Sequence, residues 1–106
     1  MNIRLLAIDI DGTLLNSQRQ VSPGNREALK RVQEAGVVVC LASGRLIPTL
    51  MPIAEAAGVK GPTITCNGAH VETAEGEVLM SATLSERAQA AVLAYSRENH
   101  VTANLY

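Results

Sequence analysis

The chain has no tryptophan and no phenylalanine, and its two aromatic residues are Tyr95 and Tyr106. Nine basic residues are scattered among ten acidic ones, for a net charge of −1. A chain so poor in stacking side chains, with no basic patch, is not built to hold nucleic acid or an anionic membrane surface. No apolar run reaches the roughly 18 residues that a membrane span needs. The N-terminus runs straight into an apolar stretch with Asp9 close behind, so it does not read as a signal peptide. Cysteine is scarce too. Cys40 and Cys66 fall in apolar stretches read as buried strands, where they serve as small core residues. That usage excludes a disulfide scaffold and predicts a reducing, cytoplasmic setting. Internal repeats and low-complexity stretches are absent, and the only lysines are Lys30 and Lys60.

What the chain does have is concentrated in Ile8-Asp9-Ile10-Asp11-Gly12-Thr13-Leu14-Leu15. The preceding segment, Ile3 to Ile8, is apolar except for Arg4, as expected of a strand buried on both faces. Asp9 then stands at the strand's carboxyl end, where open α/β sheets place their ligands. If the extended conformation persists, Asp9 and Asp11 point to the same side. Gly12 permits a sharp turn and a close approach to a bound anion. Two neighbouring acids at the end of a buried strand are unfavourable unless a cation or a proton offsets them.

A solvated turn with incidental charges is the plainest reading of these acids. A calcium loop fails on spacing: Thr13 occupies the third acidic position, the glycine comes at Gly12 and the twelfth position is Gln20. Phosphoryl transfer fits better. One carboxylate attacks phosphorus and forms an aspartyl-phosphate, and the other gives a proton to the leaving oxygen. A magnesium ion held by one or two carboxylates would neutralise the gathered negative charge.

The pattern D-x-D-G-T-L-L after a hydrophobic strand resembles motif I of the haloacid dehalogenase superfamily. Val37 to Ala42 reads as a second buried strand ending in Ser43-Gly44-Arg45, which resembles motif II. Pro62 to Cys66 reads as a third strand, ending in Asn67-Gly68-Ala69. L-A-S-G-R followed by C-N-G-A is typical of the Cof-type (subfamily IIB) branch, which carries a large α/β cap. The resemblance implies an α/β fold with a Rossmann-like parallel sheet. Residues 1–82 would form the N-terminal part of the core, and residues 83–106 the beginning of the cap. It implies Asp9 as nucleophile and Asp11 as general acid and base. It also implies Mg2+ on both, with phosphate or substrate held by Gly12, Thr13, Ser43, Gly44, Arg45, Asn67 and Gly68. The substrates it implies are small phosphorylated metabolites.

Members of this branch are roughly two to three times longer than a domain of about 100 residues. They carry a motif III lysine and a motif IV acid, and neither follows residue 82 in this chain. The expectation is therefore an incomplete chain, with a non-catalytic half-site or a phosphomutase as alternatives. An acid at Asp11, where the superfamily's ATPases have threonine, favours hydrolase or mutase chemistry. A receiver domain would put its phosphoacceptor aspartate where Asn67 stands. Ser43 as a nucleophile lacks a histidine base placed by the sequence. Arg45 reads equally as a surface charge or as a residue facing substrate or cap. His70 and His100 read as structural or exposed.

The remaining pattern alternates α and β. Ser22 and Pro23 open a helix that ends at Gly36, with Ala28, Leu29, Val32 and Ala35 as its apolar stripe. A second helix lies between Leu46 and Ala57, with Pro48 in its first turn and Pro52 set to kink it unless the helix starts late. His70–Thr73 and Glu77–Met80 form a hairpin around Gly76, and Ser85 caps a helix through about Glu98. That helix carries Ala88, Ala91, Val92 and Tyr95 on one face. The tail, Val101 to Tyr106, alternates like a half-buried strand. The sheet order should run first, second, third strand, leaving open edges at the first strand and at the tail. Such edges invite self-association.

Overall fold

The computed structural model describes residues 2–105. Five strands form one sheet in chain order: β1 (Leu5–Asp9), β2 (Val38–Ala42), β3 (Thr63–Thr65), β4 (His70–Glu72) and β5 (Val78–Ser81). Three helices accompany them: α1 (Pro23–Glu34), α2 (Ile47–Ala57) and α3 (Glu86–Asn99). β1 and β2 pair in parallel from Leu5↔Val38 to Asp9↔Ala42, and β2 pairs in parallel with β3. This is the expected order of the three strands. The hairpin does more than expected: β4 pairs antiparallel with β3, and β5 with β4, so it widens the same sheet.

Each crossover has a local cause. Ser22 Oγ accepts the Asn25 N–H at 3.1 Å and Pro23 takes a first-turn position of α1, where its missing donor costs nothing. The helix α2 runs through Pro52 to Ala57. Its start at Ile47 leaves Pro52 only just past the first turn, and both Pro48 and Pro52 are exposed. Gln33 locks α1 to the segment before β3. Its amide donates to the Gly58 carbonyl at 3.0 Å and its oxygen accepts the Lys60 N–H at 3.1 Å.

The core gathers Ile10, Leu14, Leu15, Leu29, Val39, Leu41, Leu50, Ala54 and Ala57 on one face of the sheet. In the register of β1 and β2, Leu6 and Ile8 share that face with Val39 and Leu41. The opposite face is also apolar at Leu5, Ala7 and Val38, but Leu5 is 56% and Val38 45% exposed. The expectation that β1 is buried on both faces is therefore corrected. Its sequence suits two covered faces, and among the described residues only one is covered.

Two further expectations change. β3 stops at Thr65, so Cys66 is not a strand residue; it lies half-buried in a turn with φ of 51°. The tail forms no strand over residues 101–105, and Tyr106 lies outside the described residues. Val101 instead folds back on the end of α3, its N–H donating to the Ser96 carbonyl at 3.0 Å. A strand needs a neighbouring strand to bond to, and none is beside this segment among the described residues. α3 itself buries no residue, and Val92 and Tyr95 are exposed. No helix of the described residues is long and apolar enough to cross a membrane.

Gly61 shows how tightly β3 is delivered to β2. A Cβ there would lie 2.0 Å from the Val39 carbonyl oxygen. Gly61→Ala should therefore cost about 1–3 kcal/mol, because backbone must move. Gly24→Ala should act in the opposite sense, adding about 0.5 kcal/mol, since its nearest atom is Ser22 Oγ at 4.0 Å and the position is helical. Urea denaturation of the two variants checks both signs; a Gly61→Ala midpoint at or above the parent value contradicts the first.

Candidate active site

At the end of β1 the chain leaves the extended conformation. Ile10 to Leu14 coil into a wide turn closed by the Leu15 N–H on the Ile10 carbonyl at 3.0 Å. Gly12 takes φ of 81°, which side chains with a Cβ rarely adopt. Ile10 and Leu14 are buried and anchor the turn in the core, while Asp9, Asp11, Gly12 and Thr13 remain exposed. The Asn25 side chain steadies it from α1, donating to the Leu14 carbonyl at 3.0 Å. The strand alternation that would put Asp9 and Asp11 side by side ends at Asp9. Each acid has its own partner instead.

Asp9 Oδ2 accepts the Thr13 hydroxyl at 3.1 Å. Asp11 faces the next strand's loop, where Arg45 grips it through Nε to Oδ2 and Nη2 to Oδ1, both 2.7 Å. The guanidinium hydrogen-bonded to Asp11 holds its carboxyl below the usual value, against a smaller opposing effect of burial. Asp11 in turn raises the pKa of Arg45. Stability from this pair is present above the ordinary carboxylate range and is lost as pH falls through the lowered Asp11 value. The Asp11 side chain is 52% exposed, so that contribution is small.

The loops after β2 and β3 interlock. The Ser43 N–H donates to the Ile64 carbonyl at 2.9 Å, and the Asn67 N–H donates to the Ser43 carbonyl at 3.2 Å. The Cys66 N–H donates to the Arg45 carbonyl at 3.1 Å. Ser43 Oγ accepts the Arg45 N–H at 3.2 Å. Asn67 sits at φ of 55° and Gly68 at 94°. A Cβ on Gly44 would come within 2.8 Å of Asn67 Oδ1, so glycine there lets the Asn67 amide lie over the backbone of the motif II loop.

The structure thus brings Ser43, Gly44, Arg45 and Asn67 into one cluster, which Arg45 joins to Asp11; Thr13 is bonded to Asp9. Gly12 and Gly68 contribute turn geometry. The pairing of Arg45 with Asp11 was not foreseen from sequence. Its signal was there: an acid two residues beyond one strand end and an arginine three beyond the adjacent one. Neither lysine joins the cluster. Lys30 pairs with Glu34 on α1 at 3.9 Å, and Lys60 precedes β3, at the opposite end of the sheet from its carboxyl end. Cys40 is buried, and burial raises its thiol pKa against a backbone hydrogen bond from Ile64. Among the described residues no three His, Cys, Asp or Glu side chains gather as a metal cage.

Residues 6–106 match the model of the haloacid dehalogenase-like hydrolases. Phosphatase YwpJ of Bacillus subtilis is 40% identical over 85 residues, which is 80% of this chain and 30% of that protein. A solved haloacid dehalogenase-like hydrolase from B. subtilis superposes with a TM-score of 0.84 at 36% identity, covering 92% of this chain and 34% of that one. The subclass IIB sugar phosphatase BT4131 superposes at 0.76 with 26% identity, covering 91% of this chain and 38% of that one. This chain spans about a third of the length of each of these proteins. It belongs to the haloacid dehalogenase-like hydrolase family.

Proposed function

We propose that the complete protein is a magnesium-dependent phosphatase that hydrolyses small phosphate monoesters through an aspartyl-phosphate on Asp9. The observation that carries this reading is the in-register pairing of β1 with β2. It sets Asp9 beside Ala42, so that the acids and Ser43 leave the sheet at one end, next to Asn67. The kinship with a phosphatase and a sugar phosphatase supports the substrate class.

Each side chain then has a task. Thr13 fixes the Asp9 carboxylate through Oδ2, which leaves Oδ1 to attack. The new Oδ1–phosphorus bond forms as the ester oxygen leaves, and that oxygen takes the proton of Asp11. A water then attacks phosphorus and gives its proton to the Asp11 carboxylate, and Asp9 departs as a carboxylate. Ser43 Oγ donates to a phosphoryl oxygen, with the Asn67 amide, Gly12, Gly44 and Gly68 shaping the pocket around it. The donors at Asp9 and Asp11 are oxygens, which suits a hard cation such as Mg2+; bound there it would offset the charge of acids and phosphate. Among the described residues the cluster holds no third acidic side chain and no lysine.

We also propose a division near residue 82, with residues 1–82 in the core and 83–106 opening the cap. β5 ends at Ser81, and α3, from Glu86, buries nothing in the sheet's core. A cavity of about 750 Å3 lies between the two parts, lined by Leu46, Cys66, His70, Leu84 and Leu105 among others. It adjoins Arg45 and Asn67 in sequence and is the proposed seat of the leaving group. The free cysteines fit a cytoplasmic setting.

In the complete enzyme, Asp9→Asn keeps the size and removes the attacking charge, so turnover against an aryl phosphate with magnesium should fall by orders of magnitude. A near-normal rate rejects Asp9 as nucleophile. Ser43→Ala removes one charge-assisted hydrogen bond of about 1.5–3 kcal/mol and should slow the same assay roughly 10- to 100-fold. Complete loss with an intact fold would assign Ser43 more than phosphate holding. The 106-residue chain by itself should self-associate through the open edges of β1 and β5 and show little or no phosphatase activity. Size-exclusion chromatography run with the assay tests this; a monomer turning over at about 1 s⁻¹ or faster overturns it.

A further inference from the structure

The cavity of about 750 Å3 opens beside the strand-end cluster, since Leu46 and Cys66 in its wall adjoin Arg45 and Asn67 in the chain. One side of it is a row across the sheet. Thr65 of β3 stands opposite His70 of β4, and His70 opposite Ser81 of β5, so the three side chains project on one face. The His70 ring is fixed there by Glu72, two residues along the same strand, with Nε2 3.0 Å from Oε2. The helix α3 and the segment after it add Gln89 and Asn104 to the wall.

The charge of this wall decides what it can hold. Its polar side chains are the hydroxyls of Ser81 and Thr83, the amides of Gln89 and Asn104, and the His70 imidazole. Leu46, Leu84 and Leu105 make it apolar in between. Among the described residues no Asp, Glu, Lys or Arg lines it. The His70–Glu72 pair carries no net positive charge, whether the ring is protonated or neutral. Arg45 is turned to Asp11, which it grips through Nε and Nη2. A phosphate monoester at the strand ends already brings about two negative charges. A second anionic group in the cavity would meet that charge with no cation on this wall to offset it. A neutral group bearing hydroxyls would exchange water for side chains that both donate and accept, and would lay its carbon skeleton against the leucines.

We propose that the leaving group is a neutral polyol or sugar held by the wall around His70 and Ser81, which rejects leaving groups carrying a carboxylate or a second phosphate. The proposal rests on the phosphatase reading above and gives that reading its substrate class.

The test compares two esters in the complete enzyme with magnesium: the terminal monophosphates of glucitol and of gluconate. They share one carbon chain and differ at the far end, a hydroxymethyl in one and a carboxylate in the other. The ratio of kcat/KM should favour the glucitol ester by about 10- to 100-fold. A ratio near one, or one favouring the gluconate ester, overturns the proposal. Ser81→Lys puts a cation into the row and should narrow the parent's ratio about tenfold. Gln89→Lys does so from α3 and takes its place if Ser81→Lys fails to fold by circular dichroism; the parent ratio decides alone if both fail. An unchanged ratio in a folded variant removes the leaving group from this cavity. If neither ester turns over, their competition with nitrophenyl phosphate gives the same ratio as inhibition constants. No competition by either overturns the proposal, while turnover of nitrophenyl phosphate keeps the phosphatase reading. A complete enzyme that hydrolyses none of the three esters overturns that reading and the proposal with it, so the two failures are distinct.

Discussion

The parallel pairing of β1 with β2 is the constraint on which the site depends. Side chains one turn apart on a helix could never bring residues 9 and 43 together; two parallel strands in register do so automatically, because both chains leave the sheet at the same end. β3 adds a third exit, and the hydrogen bonds among Ser43, Arg45, Cys66 and Asn67 turn three separate loops into one surface. The hydrophobic anchors matter as much as the polar groups. Ile10 and Leu14 sit in the core on either side of Asp11 and Gly12, so burying two leucine-sized side chains, about 1.5–3 kcal/mol each, holds the exposed acids where they are.

What was legible in the sequence was what local chemistry decides. The apolar strands, the Ser22–Pro23 start of α1, the turn at Gly76 and the order β1, β2, β3 all follow from periodicity, caps and crossovers. Errors fell where a partner decides. Residues 101–105 alternate as a strand should, yet alternation describes which face could be buried and supplies no neighbour to bond with. The stripe on α3 is similar: Val92 and Tyr95 suit an interface, and no described element covers them. The strand-like run from Pro62 extends to Cys66, but the Arg45 carbonyl draws the Cys66 N–H into a turn instead.

At the site, residue types were legible and pairings were not. Asp9, Asp11 and Ser43 announce themselves by standing at strand ends. That Asp11 answers to Arg45, and Asp9 to Thr13, depends on where the chain stops being extended. The turn after Asp9 decides that, and it follows from Gly12 and from the buried Ile10 and Leu14 together. Gly44 is the same kind of case. As a residue in a motif it says little; its meaning appears only with Asn67 Oδ1 placed 2.8 Å from where a Cβ would stand.

The charges around the strand ends set what a phosphate bound there would demand. Two carboxylates and one guanidinium leave the cluster at a net single negative charge. A phosphate monoester brings about two more. Gathering them at one strand end is unfavourable without additional cations, and more so wherever water is excluded. Arg45 cannot supply the deficit, because its fork is already spent on Asp11. Lys30 and Lys60 cannot either, one being paired on α1 and the other at the far end of the sheet. The uncovered apolar face of β1, with Val38 beside it, makes the matching demand in hydrophobic terms, since Leu5 and Val38 have the character of core residues and about half of each is exposed to water. Under the proposed function, a single body packed against β1 would meet both demands: cover for the bare face, and cations at the carboxyl end where the acids stand.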